Sequence, residues 1–249
     1  MKHILFTVLV VALFGCNTYY QTKNATTENL RVQTSAPADS ETHPLEAIIE
    51  PYKSSLDEQM NNVIGSASKA LKKERPESSL GNWIADALQN QVNQHLSLPV
   101  DVTIQNYGGI RIPEIPPGPI RTGKIYELMP FDNMVVVMNL SGLMTQRLFD
   151  HMAAGGGWPV SKEAQYVLQQ GRAKQLKIHG KPIQAEATYR IALPDYVANG
   201  GNDCDFLKDI PREDTGQLVR DLLIDEVKEQ ASKGQRMYKT FNAHLPPLN

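Results

Sequence analysis

The stretch Gln105-Asn106-Tyr107-Gly108-Gly109-Ile110-Arg111 constrains this chain more than any other. It follows Val100, Val102 and Ile104, whose alternation is that of a strand, so the two glycines stand where a strand ends. Adjacent glycines break regular structure and let backbone come close to a ligand. Gly108 and Gly109 can present successive N–H groups there. Asn106 and Arg111 bracket them with an amide and a planar cationic fork, which suit a phosphate or carboxylate. A polar, anionic small molecule fits this set. A tight turn carrying a surface arginine fits it equally.

The elements around this turn are legible from periodicity. Ser78 or Ser79 caps a helix on which Leu80, Trp83, Ile84, Ala87 and Leu88 form one apolar stripe, with Asp86 off it. Met134 to Leu140 is apolar at nearly every position, as in a strand buried on both faces. Ser141 opens a helix with Met144, Leu148, Phe149 and Met152 inward. Tyr189 to Leu193 reads as a strand leading into a loop from Pro194 to Asp203. Thr215 caps a last helix, with Leu218, Val219, Leu222, Leu223 and Val227 facing inward. Pro113, Pro116, Pro117 and Pro119 predict a broken loop. Helices and strands mix without a strict βαβ rhythm, so the expected class is α+β, mixed sheets flanked by helices.

A net charge of -2 offers no electrostatic capture of nucleic acid. The N-terminus reads as a targeting segment. A basic Met1-Lys2-His3, an apolar run from Ile4 to Phe14 and the small Gly15 describe a secretory signal over residues 1–15. Leu13-Phe14-Gly15-Cys16 resembles a bacterial lipoprotein signal, with Cys16 as the lipidated residue; an ordinary signal peptide with an incidental cysteine is the other reading. Acyl chains on Cys16 would hold the protein to a membrane of the bacterial cell envelope. Residues 16–44, polar and unpatterned, read as the lipidated cysteine and its tether, and residues 45–249 as the folded domain. With Cys16 acylated, Cys204 has no partner for a disulfide, and it reads as a small buried hydrophobe.

Two further constellations stand beside the glycine turn. In Pro130-Phe131-Asp132-Asn133 an aromatic ring on a loop can stack on a planar ligand while Asn133 reads its edge; a ring in the core is the alternative. Pro194 to Asp203 combines Tyr196, the doublet Gly200-Gly201, and the short polar side chains Asn202 and Asp203. Such a loop can hold a ring face and bond hydroxyls, or it can be a polar turn.

Together these landmarks resemble the C-terminal, substrate-binding domain of the 5′-nucleotidase and UDP-sugar hydrolase family, from about Tyr52 to about Tyr238. Glu77 to Ala87, Asn106 to Arg111, Ile125 to Asn133 and Tyr196 to Asp203 occur in the family's order. The resemblance implies that Asn106 and Arg111 hold the phosphate side of a nucleotide. It implies that Phe131 and Tyr196 sandwich the base and that Asn133 lies near the base edge. Asn202 stands where the family has an aspartate for the ribose hydroxyls, and Asp203 can serve after a one-residue shift. Arg75 is the candidate for a further family arginine.

What the resemblance lacks here is the metal-dependent catalytic half. Two-metal hydrolysis needs clustered His, Asp and Asn ligands. None of the six histidines falls in such a cluster, and His151, beside Asp150, reads as solvent contact or packing. The expectation is therefore no catalytic residue, no metal and no cofactor in this chain, with divalent metals confined to a partner. The expected ligand is a nucleotide, nucleoside or nucleotide sugar. The expected role is to serve nucleotide catabolism together with a separate metallophosphoesterase. The alternatives are a nucleotide- or nucleoside-binding surface lipoprotein acting alone, and a structural remnant.

Overall fold

The computed structural model describes residues 44–238. The signal segment, Cys16 and the tether up to residue 43 lie outside these residues, and Pro44 already opens a helix. Helix α1 (Pro44–Asn61) leads into β1 (Val63–Ala67) and β2 (Leu71–Lys72). Helix α2 (Ser79–His95), β3 (Val102–Thr103), β4 (Glu114–Ile115), β5 (Gly118–Arg121) and α3 (Thr122–Leu128) follow. Then come β6 (Met134–Ser141), α4 (Gly142–Ala154), β7 (Ala164–Gln169), β8 (Arg172–Ile178) and β9 (Lys181–Pro182). The described part closes with β10 (Thr188–Pro194), α5 (Asp195–Ala198), β11 (Arg212–Leu218) and α6 (Val219–Ser232). This is an α+β fold of mixed sheets flanked by helices.

At its centre is a four-stranded sheet in the order β11-β6-β10-β3. Strand β6 runs antiparallel to both neighbours, whereas β10 and β3 are parallel. The unbroken apolar run of β6 serves two cores at once. Val135 and Val137 face one core, and Val136, Met138 and Leu140 face the other. A period-2 backbone that buries both faces leaves no polar position along Val135–Met138, which is why the run is continuous.

Helices α2 and α6 fill the first core with Leu80, Trp83, Ile84, Leu88, Leu222, Leu223 and Val227. The second core sits under α4, through Leu148, Phe149 and Met152, and the β7-β8-β9 sheet, through Tyr166, Leu176 and Ile178. Each fully buried Leu, Ile or Phe contributes on the order of 1.5–3 kcal/mol. The caps are local and follow the sequence. Ser78 Oγ accepts from Gly81 N at 2.9 Å at the start of α2, and Ser141 Oγ accepts from Met144 N at 3.2 Å at the start of α4. Asp86, off the α2 stripe, accepts from Lys162 N at 2.8 Å.

Three expectations are corrected. Thr215 does not cap the last helix: it lies in β11, donates to Val135 O at 2.7 Å, and α6 starts at Val219 with no side-chain cap. Its hydroxyl is claimed by the neighbouring strand, a partner 80 residues away in sequence. The proline-rich segment after Ile112 is not wholly loop, because β4 pairs with β2 and β5 with β1. Proline is tolerated there since each sheet has only two strands, both of them edges. The segment after Leu193 is not wholly loop either: Pro194 ends β10 and Asp195–Ala198 is a helical turn.

Candidate functional site

The strand directions gather the site. Strands β3 and β10 are parallel, so their C-terminal ends share one edge of the sheet, and the antiparallel β6 begins at that same edge. Three segments therefore meet there: the turn after β3, the loop before β6, and the turn after β10. They enclose a cleft of about 310 Å³ lined by Asn106, Gly108, Gly109, Arg111, Phe131, Asn133, Tyr196 and Asn202. Asp203 and Arg75, the other residues singled out in the sequence, are not in this lining.

Phe131 and Tyr196 are each 46% exposed, in a protein that buries Phe149 and Tyr166 almost completely. Large rings left half open on a cleft wall leave a face on which a planar ligand can stack. Each is braced. The Arg111 guanidinium stands 5.5 Å over the Phe131 ring. Tyr196 folds back on Gly201, where a Cβ would sit 2.4 Å from ring atom Cε1. Asp195 Oδ1 accepts from Tyr196 N at 2.7 Å and fixes the start of the turn.

The polar wall is a chain of amides. Gln105 Nε2 donates to Asn106 Oδ1 at 2.9 Å, and Asn106 Nδ2 donates to Asn202 Oδ1 at 2.8 Å. The Asn202 oxygen is thus already bonded to a neighbour, and its backbone carbonyl lies 2.8 Å from His151 Nε2. The His151 ring is packed edge-on against Trp158 and Phe206. So His151, read from the sequence as solvent contact or packing, also anchors the turn that carries Asn202. Asn202 has a φ of +53°, the left-handed conformation that asparagine tolerates better than most residues. The expected pair of free glycine N–H groups is not complete, because Gly109 N donates to Asn106 O at 3.1 Å within the turn.

A cluster of cations neighbours Arg111. The Tyr107 ring has Lys73 Nζ 4.1 Å and Arg75 Cζ 4.0 Å from its centroid. Burial, then the charges of Arg111 and Arg75, pulls the Lys73 ammonium below its ordinary pKa. Mutual repulsion of this kind is relieved when an anion arrives, so the cluster favours a negatively charged ligand on the Arg111 side. Arg75 is thus held against Tyr107, which lines a separate pocket with Glu74 and Glu77, and is not in the cleft wall. Cys204 is fully buried, and its thiol is pushed up to about 11, first by burial and then by Asp203 and Asp205. That is the small-hydrophobe reading of the sequence.

Sequence reasoning assigned no role to Gln105, Lys73 or Arg220. Gln105 lay in plain view inside the key segment; its lever is that its nitrogen faces Asn106. Arg220 carried no local signal at all, since its partner Asp132 is 88 residues away. Among the described residues no group of three or more His, Cys, Asp or Glu side chains is placed to hold a metal ion.

Comparison with known proteins gives these features a family. The family model for the 5′-nucleotidase C-terminal domain matches residues 60–209. Among curated relatives, the trifunctional nucleotide phosphoesterase protein YfkN of Bacillus subtilis is 26% identical over 206 residues, covering 74% of this chain and 14% of YfkN. Protein UshA of Escherichia coli is 24% identical over 178 residues, covering 67% of this chain and 30% of UshA. The crystal structure of a 5′-nucleotidase precursor from Thermus thermophilus superposes with a TM-score of 0.67 at 30% identity, over 82% of this chain and 42% of that one. The chain therefore spans less than half the length of these relatives. With its match over more than half of its residues, this chain belongs to the 5′-nucleotidase C-terminal domain family.

Proposed function

We propose that this protein binds a nucleotide and presents it to a separate metallophosphoesterase, so that the two together carry out nucleotide catabolism by phosphoester hydrolysis. The observation that carries the reading is the convergence of Phe131, Tyr196 and Arg111 on one cleft. The base lies between the two rings, Asn133 meets its edge, and the phosphate lies toward Arg111 and the Lys73–Arg75 cluster. Divalent metal ions act from the partner, and this chain supplies binding and orientation. Lipid on Cys16 holds the protein to a membrane of the bacterial cell envelope, where extracytoplasmic nucleotides are met.

Stacking on two rings with a few polar contacts is compatible with micromolar binding, about -8 kcal/mol. Calorimetry of the full chain in detergent micelles, with AMP, adenosine and UDP-glucose, tests the ligand. Incubation with AMP and Mn²⁺, Zn²⁺ or Co²⁺ tests the division of labour. The expected result is binding with negligible phosphate release until the partner is added. Turnover that follows the protein through purification overturns the non-catalytic role. The residues lining the cleft can contact a nucleotide directly. A lipoprotein that captures nucleotides alone is therefore the second reading, favoured if native envelopes yield no associated metallophosphoesterase.

A further inference from the structure

We infer that the outer face of the β7-β8-β9 sheet is a docking surface for an anionic membrane, made by Arg172, Lys174 and Lys177 with Lys181 at its edge. It is independent of the nucleotide reading of the cleft.

Alternation along β8 divides its side chains between two surfaces. Ala173, Leu176 and Ile178 are buried in the second core, while Arg172, Lys174 and Lys177 are exposed. The strand register fixes what stands beside the three cations. Arg172 pairs with Gln169 and Lys174 with Val167; Lys177 lies between Gln165 and Pro182. Directly paired residues share a face. The register shift between Gln165 and Val167 lets Lys174 and Lys177, three residues apart, both stand on the outer side. That face therefore gathers three positive charges, with neutral residues paired to each.

Nothing nearby compensates the charge. Residues 171–182 hold four Lys or Arg and no Asp or Glu, in a chain whose net charge is -2. Among the described residues Arg172, Lys174, Lys177 and Lys181 make no ion pair, whereas Lys124, Lys208, Lys228 and Lys233 each meet a carboxylate.

The chemistry of the face selects its occupant. A protein interface is built around aromatic or aliphatic anchors and is poor in lysine. Here the paired neighbours are two glutamines, a proline and the half-buried Val167. A lysine-rich face without an apolar anchor suits a fluid layer of anionic headgroups, where each Lys or Arg near the surface raises partition by about fivefold. The attraction needs no lipid on Cys16, and an anchor there would act by raising the local concentration of headgroups.

Amine acetylation of the full chain mixed with vesicles, followed at each lysine by mass spectrometry, tests this. Vesicles of phosphatidylcholine alone are compared with vesicles that hold phosphatidylcholine and phosphatidylglycerol in equal parts. Acetylation of Lys174, Lys177 and Lys181 should slow by about fivefold or more on the anionic vesicles alone. Lys124 and Lys228, on helices of the first core, should react as in solution. The protection should vanish at about 1 M salt, where the screening length falls to about 3 Å. Equal slowing on both kinds of vesicle, slowing of every lysine together, or no slowing overturns the inference. The combined variant Arg172→Gln, Lys174→Gln, Lys177→Gln should sediment with the anionic vesicles no better than with phosphatidylcholine. All three positions are exposed, and a thermal melt checks that the variant is folded. A preference for anionic vesicles equal to the parent's also overturns the inference.

Discussion

Arg220 Nη2 meets Asp132 Oδ1 at 2.7 Å, and the two ends of this pair live in different surroundings. The Arg220 side chain is 9% exposed and the Asp132 side chain 78%. The guanidinium also lies 4.3 Å over the Tyr126 ring, with Nη1 3.5 Å from Met129 O. Through this one side chain, helix α6 grips the loop on which Phe131 stands. The start of α6 lies beside that loop, since Val219 N also donates to Asn133 O at 2.9 Å.

Removing Arg220 should therefore be felt in both stability and binding. Arg220→Met keeps the aliphatic packing and loses the loop contacts, with an expected cost of about 1–3 kcal/mol in urea unfolding. Asp132→Ala, which deletes only the exposed partner, should cost less than about 1 kcal/mol. Weaker AMP binding by Arg220→Met, measured by calorimetry, is the sign that the grip positions Phe131.

Phe131→Ala and Tyr196→Ala separate ligand stacking from folding. Both rings are half exposed, so each change should shift unfolding free energy by no more than about 0.5 kcal/mol. If a base stacks between them, each should weaken AMP binding by about 1–3 kcal/mol. Loss of stability without loss of affinity would assign the rings to packing.

The glycine doublet should divide sharply. At Gly109 a Cβ would lie 2.5 Å from Gln105 Nε2 and 2.9 Å from Asn106 Oδ1, both in buried side chains. Gly109→Ala should cost about 1–3 kcal/mol and disrupt AMP binding. At Gly108 the nearest atom is 3.9 Å away, and neither glycine has a positive φ. Gly108→Ala should fold as the parent does, as thermal melts of the two variants will show.

A pH dependence should arise far from the cleft, on α6. Glu229 accepts from Gln91 Nε2 at 2.6 Å, from Gln94 Nε2 at 3.0 Å, and from Lys233. Bonds from Gln94, Lys233 and Gln91 hold its pKa down at about 2, below the ordinary 4.5. A carboxylate depressed on folding stabilises fully above 4.5 and ceases to do so as pH falls through 2. Glu229→Gln should flatten the fall in stability between those values, read from urea midpoints across a pH series. An identical slope in the variant would remove Glu229 from the account.

The local parts of this protein were readable in its sequence because their causes are local. The α2 stripe with its Ser78 cap, the β6 run from Val135 to Met138, and the rings flanked by polar residues follow from periodicity, side-chain chemistry and neighbours within a few positions. The β7–β9 sheet was not readable. A register shift between Gln165 and Val167 and a positive φ at Gln175 break the alternation that marks a strand. Thr215 read as a cap because nothing nearby reveals that β6 lies beside it. At the cleft, the tertiary structure alone seated Asn202 against Asn106, left Asp203 and Arg75 out of the wall, and set His151 and Arg220 behind the segments that form it. The reason is strand order and direction. Parallel β3 and β10 with antiparallel β6 decide which loops share an edge, and no stretch of sequence states that order by itself.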